Sequence, residues 1–154
     1  MQKIEFDKAT LKDIEAMQKI VEPEVQNGII LPRTNDEIAT NIRSYTLAFE
    51  DGVLVGFAAL HIHTSYLAEI RSLIVHEQYR GRKIGEQLIQ KLLKEAESLG
   101  VQKVLVLTYK QSFFERLGFY EIPKESLPEH KIWADCIKCK HFPVCNEISL
   151  IKVL

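Results

Sequence analysis

The chain has 154 residues, a length that favours one domain over two. Hydrophobic residues make up 46% and charged residues 27%, the balance of a globular protein and not of a disordered one. Twenty Lys and Arg residues against 21 Asp and Glu residues leave a net charge of −1, so no overall field attracts nucleic acid or an anionic membrane.

Three features predict a cytoplasmic protein that forms a single domain over residues 1–154. The longest uncharged run, residues 52–68, has 17 residues and includes two histidines, whereas a membrane span needs about 20 apolar residues. The first residues lack the apolar segment of a secretory signal. The three cysteines, an odd number within the last 19 residues, do not form the framework of a secreted disulfide-rich protein.

In the first half of the chain, residues 3–7 alternate with period two and predict a strand. Residues 10–13 and 34–37 each carry the capping-box pattern with which a helix begins, and Pro23 is expected to disturb the end of the first helix. Asp51-Gly52 predicts a tight turn between the next two strands.

The second half begins with residues 67–76, which are apolar enough to form a buried central strand. A helix then follows with an apolar face from Leu88 to Leu99, and Gly100 is its C-cap. The remaining predicted elements are a strand (103–109), a short helix (112–117), a strand (119–122), a Cys-containing insertion at about 128–146 and a last strand (147–154). This order indicates a mixed α/β layer architecture.

Basic residues and glycines lie where the central strand ends and the long helix begins. Arg80, Gly81, Arg82, Lys83, Ile84 and Gly85 occupy this position. Unpaired amides and the positive helix dipole can hold a phosphate there, glycine allows close approach, and the cations add charge-assisted bonds. The alternative is a solvated basic turn before a surface helix.

These residues resemble the signature of the GNAT superfamily of acetyl-CoA-dependent N-acetyltransferases, Arg/Gln-x-x-Gly-x-Gly/Ala. Lys83 replaces the first glycine; this leaves the amides in place if the residue is in a right-handed helical turn, but it excludes a backbone conformation that needs a positive φ. Residues 113–119, Phe-Phe-Glu-Arg-Leu-Gly-Phe, resemble the second signature of the superfamily. The resemblance implies an α/β (α+β) GNAT fold, a mixed sheet of about seven strands flanked by about four helices.

A narrower resemblance, to the short form of amino-acid N-acetyltransferase (the N-acetylglutamate synthases), involves five segments: 31–34, 68–75, 106–109, 113–119 and 133–147. It implies transfer of acetyl from acetyl-CoA to the α-amine of an amino acid, with L-glutamate first, as in arginine biosynthesis. Two alternatives stay open: a GNAT enzyme for another small amine, and a non-catalytic module that binds CoA or metal. The expected partner is a small amino-acid substrate, with no nucleic acid or membrane, and a homodimer is one alternative for the assembly.

Glu69 is the candidate base, because acetyl transfer requires a neutral amine and a carboxylate within a buried strand has its pKa raised towards useful basicity. The alternative is a structural partner for Arg71 or for another cation. In the superfamily an amide of the fourth strand stabilises the oxyanion and the strand edge pairs with pantetheine, which implies Leu73, Ile74 and Val75. Many relatives protonate the thiolate with a tyrosine where this chain has Phe114, so Tyr109, water or an unassisted thiolate is expected instead.

A glutamate acceptor brings two carboxylates, for which Arg33 and Arg71 are the candidate cations and Ser72 a candidate amide donor. In the resembled subgroup the arginine of Leu-Pro-Arg binds the substrate carboxylate, which favours Arg33. Longer relatives add an arginine in the last strand, where this chain has only Lys152.

Cys136, Cys139, Cys145 and His141 are spaced as a tetrahedral zinc site would be. Such a zinc ion would be structural. The alternative is three reduced thiols, some of them buried. The other four histidines (His61, His63, His76 and His130) receive no role.

Overall fold

A computed structural model describes residues 3–28, 31–123 and 148–154. The strands are β1 (Ile4–Lys8), β2 (Tyr45–Glu50), β3 (Val53–Ile62), β4 (Leu67–Val75), β5 (Lys103–Thr108), β6 (Tyr120–Glu121) and β7 (Ile148–Val153). The helices are α1 (Ile14–Gln26), α2 (Asn35–Thr40), α3 (Ile84–Leu99) and α4 (Gln111–Arg116). Single 3-10 turns occupy Leu11–Asp13, Ile42–Ser44 and Glu77–Tyr79. Within the described residues, the expected seven strands and four helices are confirmed.

The strands form one sheet in the order β1-β2-β3-β4-β5-β7-β6. Antiparallel pairing joins β1 to β2, β2 to β3, β5 to β7 and β6 to β7. The connection from β4 to its neighbour β5 runs through α3, which is the crossover that parallel neighbours require. The sheet is therefore mixed, as expected.

Local signals explain where most elements begin. The Thr34 hydroxyl accepts a hydrogen bond from the Glu37 amide at 3.1 Å, and the Glu37 carboxylate accepts one from the Thr34 amide at 2.9 Å. This reciprocal pair is the predicted capping box at the start of α2. Asp51 and Gly52 have φ values of 50° and 78°, and two positive φ values are typical of the tight turn that joins twisted antiparallel strands.

Two helix predictions need correction. Pro23 lies inside α1, which continues to Gln26, and the Asn27 amide donates to the Pro23 carbonyl at 3.0 Å. Proline removes one donor but still accepts, so the last turn forms around it. Leu99, predicted on the apolar face of α3, is 61% exposed because it is the final residue before Gly100, whose φ of 87° ends the helix.

The chain divides into two compact units, residues 1–61 with 70–95, and residues 62–69 with 96–154. The core of the first unit contains Ala9, Met17, Ile38, Tyr45, Leu47, Leu54, Phe57, Ala59 and Ile74. The second unit has a core cluster of Leu67 and Leu105, against which Leu107, Ile122 and Ile151 pack. Strand β4 contributes residues to both units.

Ser72 gives β4 an irregular centre. Its φ is 57°, a left-handed conformation that a residue with a side chain rarely adopts and that costs about 1–3 kcal/mol. Residues 67–70 of β4 are buried, whereas Arg71, Ser72 and Leu73 are half-buried. The regular pleat of the strand is therefore interrupted at Ser72.

Candidate functional site

The predicted phosphate site lies between the end of β4 and the start of α3, which we call the β4–α3 junction (residues 76–85). Its first part is a 3-10 turn, where the His76 Nδ1 atom accepts a hydrogen bond from the Gln78 amide at 3.2 Å. Gly81 follows with a φ of 82°, and no atom lies within 4 Å of the position that a β-carbon would take there. The main chain at Gly81 is therefore open to a ligand.

Lys83 has a φ of 61°, so the expectation that a lysine at this position excludes a positive φ is wrong. The glycine in the resembled signature is the signal that could have predicted a positive φ, since glycine enters this region without strain. A lysine holds the same backbone conformation here at a cost of about 1–2 kcal/mol. Lys83 therefore has a left-handed backbone at the position where the resembled signature has a glycine.

The start of α3 supplies main-chain donors. The first helical hydrogen bond to the junction runs from the Gln87 amide to the Lys83 carbonyl at 3.1 Å. The amides of Ile84, Gly85 and Glu86 precede it and have no partner within the helix. With the helix dipole, these three amides can bind an anion.

Carboxylates hold two of the junction's cations. Arg80 donates through Nε to the Val75 carbonyl at 3.1 Å and through a terminal nitrogen to the Glu24 carboxylate at 2.8 Å. Arg82 lies 2.8 Å from Glu50 Oε2 as an ion pair, outside hydrogen-bond geometry, and 5.4 Å from the Tyr79 ring centroid. A phosphate would therefore meet arginines that are already oriented and already paired.

A small cavity in the first unit lies between α1 and the sheet. Its lining consists of Met17, Gln18, Val21, Leu31, Arg33, Ile38, Tyr45, Phe57 and Ser72. Arg33 and Ser72, two of the three predicted substrate residues, therefore share one cavity, and Arg71 is the half-buried neighbour of Ser72 on β4. The cavity volume is about 30 Å³, room for about one or two waters, so a whole amino acid would extend beyond it.

Among the described residues that line this cavity, Arg33 alone is charged. Its main chain is fixed, because the Gln18 side-chain amide donates to the Arg33 carbonyl at 2.8 Å and to Asn35 Oδ1 at 3.0 Å. The capping box of α2 starts at the next residue, Thr34. None of the residues that the structure describes forms an ion pair with the Arg33 guanidinium. The arginine is thus anchored through its backbone while its side chain is available to a carboxylate.

Glu69 lies in β4 in the second unit and is 4% exposed. Its Oε1 atom is 2.6 Å from His63 Nε2, and the two side chains are 6% and 3% exposed. The predicted buried carboxylate is therefore present, but its contact is a histidine that sequence reasoning assigned no role. A His six residues before a strand Glu, across a short polar turn at 64–66, is the signal that could have found it.

Two aromatic residues near α4 differ in exposure. Phe114 is 2% exposed and packs edge-on against Phe113 and Phe119, with ring centroids 5.0 and 5.4 Å away. Tyr109 directly follows β5 and is 53% exposed. Phe114 is thus a core residue without a proton to donate, and Tyr109 has a hydroxyl in a largely open position.

The remaining predicted site residues divide into two groups. Leu73, Ile74 and Val75 form the end of β4 that leads into the β4–α3 junction. Cys136, Cys139, His141 and Cys145 lie outside the described residues, so the metal prediction stays untested. Among residues 3–28, 31–123 and 148–154, no three His, Cys, Asp or Glu side chains form a metal-binding group.

In the same residues no helix is both long and apolar enough for a membrane span.

Comparison with known proteins gives a family model and several relatives. Residues 12–119 match the model of the acetyltransferase (GNAT) family. A Chlorobaculum tepidum protein named as an uncharacterized N-acetyltransferase is 40% identical over 146 residues, 95% of this chain and 94% of the relative. An amino-acid acetyltransferase of Pasteurella multocida is 33% identical over 125 residues, 80% of this chain and 28% of the relative.

A solved structure is similar over nearly the whole chain. N-acetylglutamate synthase from Neisseria gonorrhoeae, complexed with coenzyme A and N-acetyl-glutamate, matches with a TM-score of 0.88 and 25% identity. The match covers 99% of this chain and 35% of the synthase. The chain thus spans about a third or less of the length of the Pasteurella and Neisseria proteins.

Proposed function

This chain belongs to the acetyltransferase (GNAT) family, and from that premise we propose that it transfers acetyl from acetyl-CoA to the α-amine of an amino acid, with L-glutamate as the first candidate. The family and the fold confirm the resemblance found in the sequence. The chain is an acetyl-CoA-dependent N-acetyltransferase, and the acceptor is the part that we propose. Arginine biosynthesis is the process in which acetylated glutamate would be used.

The observation that carries the proposal is the anchored Arg33 in the lining of the first-unit cavity. An arginine with a fixed backbone and an available guanidinium can bind a carboxylate with two parallel hydrogen bonds. Support also comes from relatives named amino-acid acetyltransferase and from the Neisseria synthase with its bound N-acetyl-glutamate. Arg71 on β4 would provide the second cation and Ser72 an amide for the acceptor.

Acetyl-CoA would bind along the end of β4 and at the β4–α3 junction. The diphosphate would accept hydrogen bonds from the amides of Ile84 and Gly85 at the start of α3 and would approach the open main chain at Gly81. The cations Arg80, Arg82 and Lys83 would balance its negative charge. The pantetheine arm would pair with the edge of β4 at residues 73–75. The residues present suit this substrate, because amides, a helix N-terminus and three cations all favour an anion.

In the reaction, Glu69 would remove a proton from the acceptor's ammonium group, directly or through water, because only a neutral amine has the lone pair for attack. The amine nitrogen then bonds to the thioester carbonyl carbon, and an amide among residues 73–75 stabilises the oxyanion. Collapse breaks the carbon–sulfur bond, and the sulfur leaves with the electron pair. Phe114 cannot protonate it, so Tyr109 or water does so, or CoA leaves as the thiolate.

One observation favours a second candidate within the same class. No other cation lines the cavity within the described part of the chain, and the lining there is largely apolar: Met17, Val21, Leu31, Ile38 and Phe57. An amino acid with one carboxylate and an apolar side chain would place the carboxylate at Arg33 and the side chain among these residues. Leucine and methionine are therefore the acceptors to compare with glutamate.

The test is release of CoA thiol from acetyl-CoA with L-glutamate, other amino acids and amines that lack a carboxylate. We expect the highest kcat/KM with an amino acid, and we expect R33A to raise the KM of that acceptor while the KM of acetyl-CoA stays constant. Arg43→Ala is the control, because Arg43 is an exposed arginine of the same unit outside the cavity lining. A best substrate without a carboxylate, or equal acceptor KM values in R33A and wild type, would overturn the proposal.

A further inference from the structure

The contact between His63 and Glu69 carries an inference that rests on the proposed function and goes beyond it. His63 Nε2 and Glu69 Oε1 are 2.6 Å apart, within hydrogen-bond range, and both side chains are almost fully buried. Both residues belong to the second unit, in the segment 62–69 where β3 ends and β4 begins. A candidate base thus has a direct hydrogen-bonding partner.

The turn between the two strands holds the imidazole in place. The amides of His63 and Thr64 donate to the Leu67 carbonyl at 2.9 and 3.1 Å. The Thr64 hydroxyl accepts from the amides of Tyr66 and Leu67 at 3.2 and 3.0 Å. With its backbone so constrained, His63 has little freedom to leave Glu69.

The buried pair of His63 and Glu69 is not explained by its contribution to the stability of the fold alone. Burying a carboxylate carries a large desolvation penalty unless hydrogen bonds compensate for it. Replacing a buried polar pair with apolar side chains of similar volume is often neutral or stabilising. A buried His–Glu contact on the strand that carries the candidate base is therefore more useful to the reaction than to the fold.

We propose that His63 is a positioning residue for Glu69. Its Nε2–H donates to Oε1 of the carboxylate and fixes the rotamer of Glu69, so that the carboxylate is held in one orientation when it takes a proton from the acceptor's ammonium group. The proton moves from the amine nitrogen to Glu69 and then to solvent. The substrate group recognised is thus a protonated amine, which binds next to a carboxylate that His63 holds in one orientation.

The variants His63→Gln and His63→Asn test this role with one methylene group of difference. A glutamine side-chain amide reaches as far as imidazole Nε2, whereas the amide of the shorter asparagine falls short of Glu69. We expect kcat within about threefold of wild type for His63→Gln and about 10- to 100-fold lower for His63→Asn, since a misplacement of about 1 Å can cost a factor of about 100. The KM of acetyl-CoA should stay constant in both.

His63→Leu and Glu69→Gln complete the experiment. We expect His63→Leu to lower kcat as His63→Asn does and also to lower the melting temperature, because removing one partner leaves the buried Glu69 carboxylate without this hydrogen bond. The double variant His63→Leu/Glu69→Gln should be no slower than Glu69→Gln alone, because the two residues act as one unit. All assays use the best acceptor of the thiol-release panel.

Three results would overturn the inference while the proposed function stands. The first is a wild-type kcat in His63→Leu or His63→Asn, and the second is a double variant whose loss of kcat is the product of the two single losses. The third is an equal loss of kcat in His63→Gln and His63→Asn with unchanged melting temperatures, since the length of the side chain at residue 63 would then not matter. Failure of the wild type to acetylate any acceptor would overturn the proposed function and this inference together.

Discussion

Gly56 on β3 lies so close to Ile74 on β4 that a β-carbon at residue 56 would be 2.8 Å from the Ile74 carbonyl oxygen. Real β-carbons essentially never approach another atom so closely, and the Ile74 carbonyl is main chain that cannot rotate away. A glycine at this position therefore allows β3 to pack against the end of β4.

Gly56→Ala is expected to destabilise the protein and to weaken acetyl-CoA binding, because the added methyl displaces β4 where residues 73–75 would pair with pantetheine. The stability loss should be about 1–3 kcal/mol, as for overpacking in a core. Gly100→Ala is the control: its φ of 87° makes alanine strained there, so this variant should also lose about 1–2 kcal/mol of stability, but it should keep the CoA affinity of the wild type because residue 100 lies outside β4 and the β4–α3 junction. Denaturant unfolding and calorimetric titration with CoA measure both effects; equal CoA affinity in Gly56→Ala and wild type would contradict the role given to the end of β4.

Lys83 is a second strained position, with a φ of 61°. Lys83→Gly and Lys83→Ala both remove the charge, but only glycine removes the strain, so we expect the glycine variant to be about 1 kcal/mol more stable than the alanine variant. Lys94 lies within α3 and is exposed. The order should reverse there, so that Lys94→Gly is about 1 kcal/mol less stable than Lys94→Ala. Equal stabilities of the two Lys83 variants would contradict a left-handed Lys83.

Sequence alone predicts the regular part of this fold well because its signals are local. The capping box at Thr34, the turn at Asp51 and Gly52, and the apolar face of α3 each act within one or two turns of chain. Errors arise where the deciding interaction is elsewhere. Leu99 is exposed because the helix ends, and Lys83 is left-handed because the junction requires that backbone conformation whatever the side chain.

The candidate site was predictable in its residue types but not in its contacts. Glu69 and Arg33 stand out as a carboxylate in an apolar strand and an arginine in an apolar loop. The partners of such residues depend on packing between segments far apart in sequence: Gln18 fixes Arg33 from 15 residues away, and Glu24 pairs with Arg80 across 56 residues. No local pattern encodes those distances.

Removing the carboxylate of Glu24 should tighten acetyl-CoA binding. Arg80 stays oriented by its bond to the Val75 carbonyl, so Glu24→Gln removes a competing negative charge without releasing the side chain. An ion pair as exposed as this one contributes about 0–1 kcal/mol, so the dissociation constant should fall by up to about fivefold at low salt and less at high salt. Glu22 is an exposed glutamate of the same helix, and Glu22→Gln should leave the dissociation constant unchanged. Weaker binding in Glu24→Gln would show that the pair orients Arg80 for the ligand.

Gln18 should act on the acceptor through Arg33. Gln18→Ala removes the hydrogen bonds to the Arg33 carbonyl and to the Asn35 side chain, so the main chain that carries the guanidinium is no longer held. We expect a several-fold higher KM for the amino acid with kcat and the KM of acetyl-CoA little changed. Gln26→Ala is the control, because Gln26 bonds only to Glu22 on its own helix among the described residues. An unchanged acceptor KM in Gln18→Ala would contradict a carboxylate at Arg33.

The binding of acetyl-CoA at the β4–α3 junction can be tested directly by recording amide NMR spectra of the protein during titration with CoA. The diphosphate should shift the amide resonances of Gly81 and of Ile84, Gly85 and Glu86 most strongly, since these donors have no partner within α3. Saturable shifts centred on these residues are the predicted result. Saturable binding that leaves these four amides unmoved and shifts others instead would contradict it.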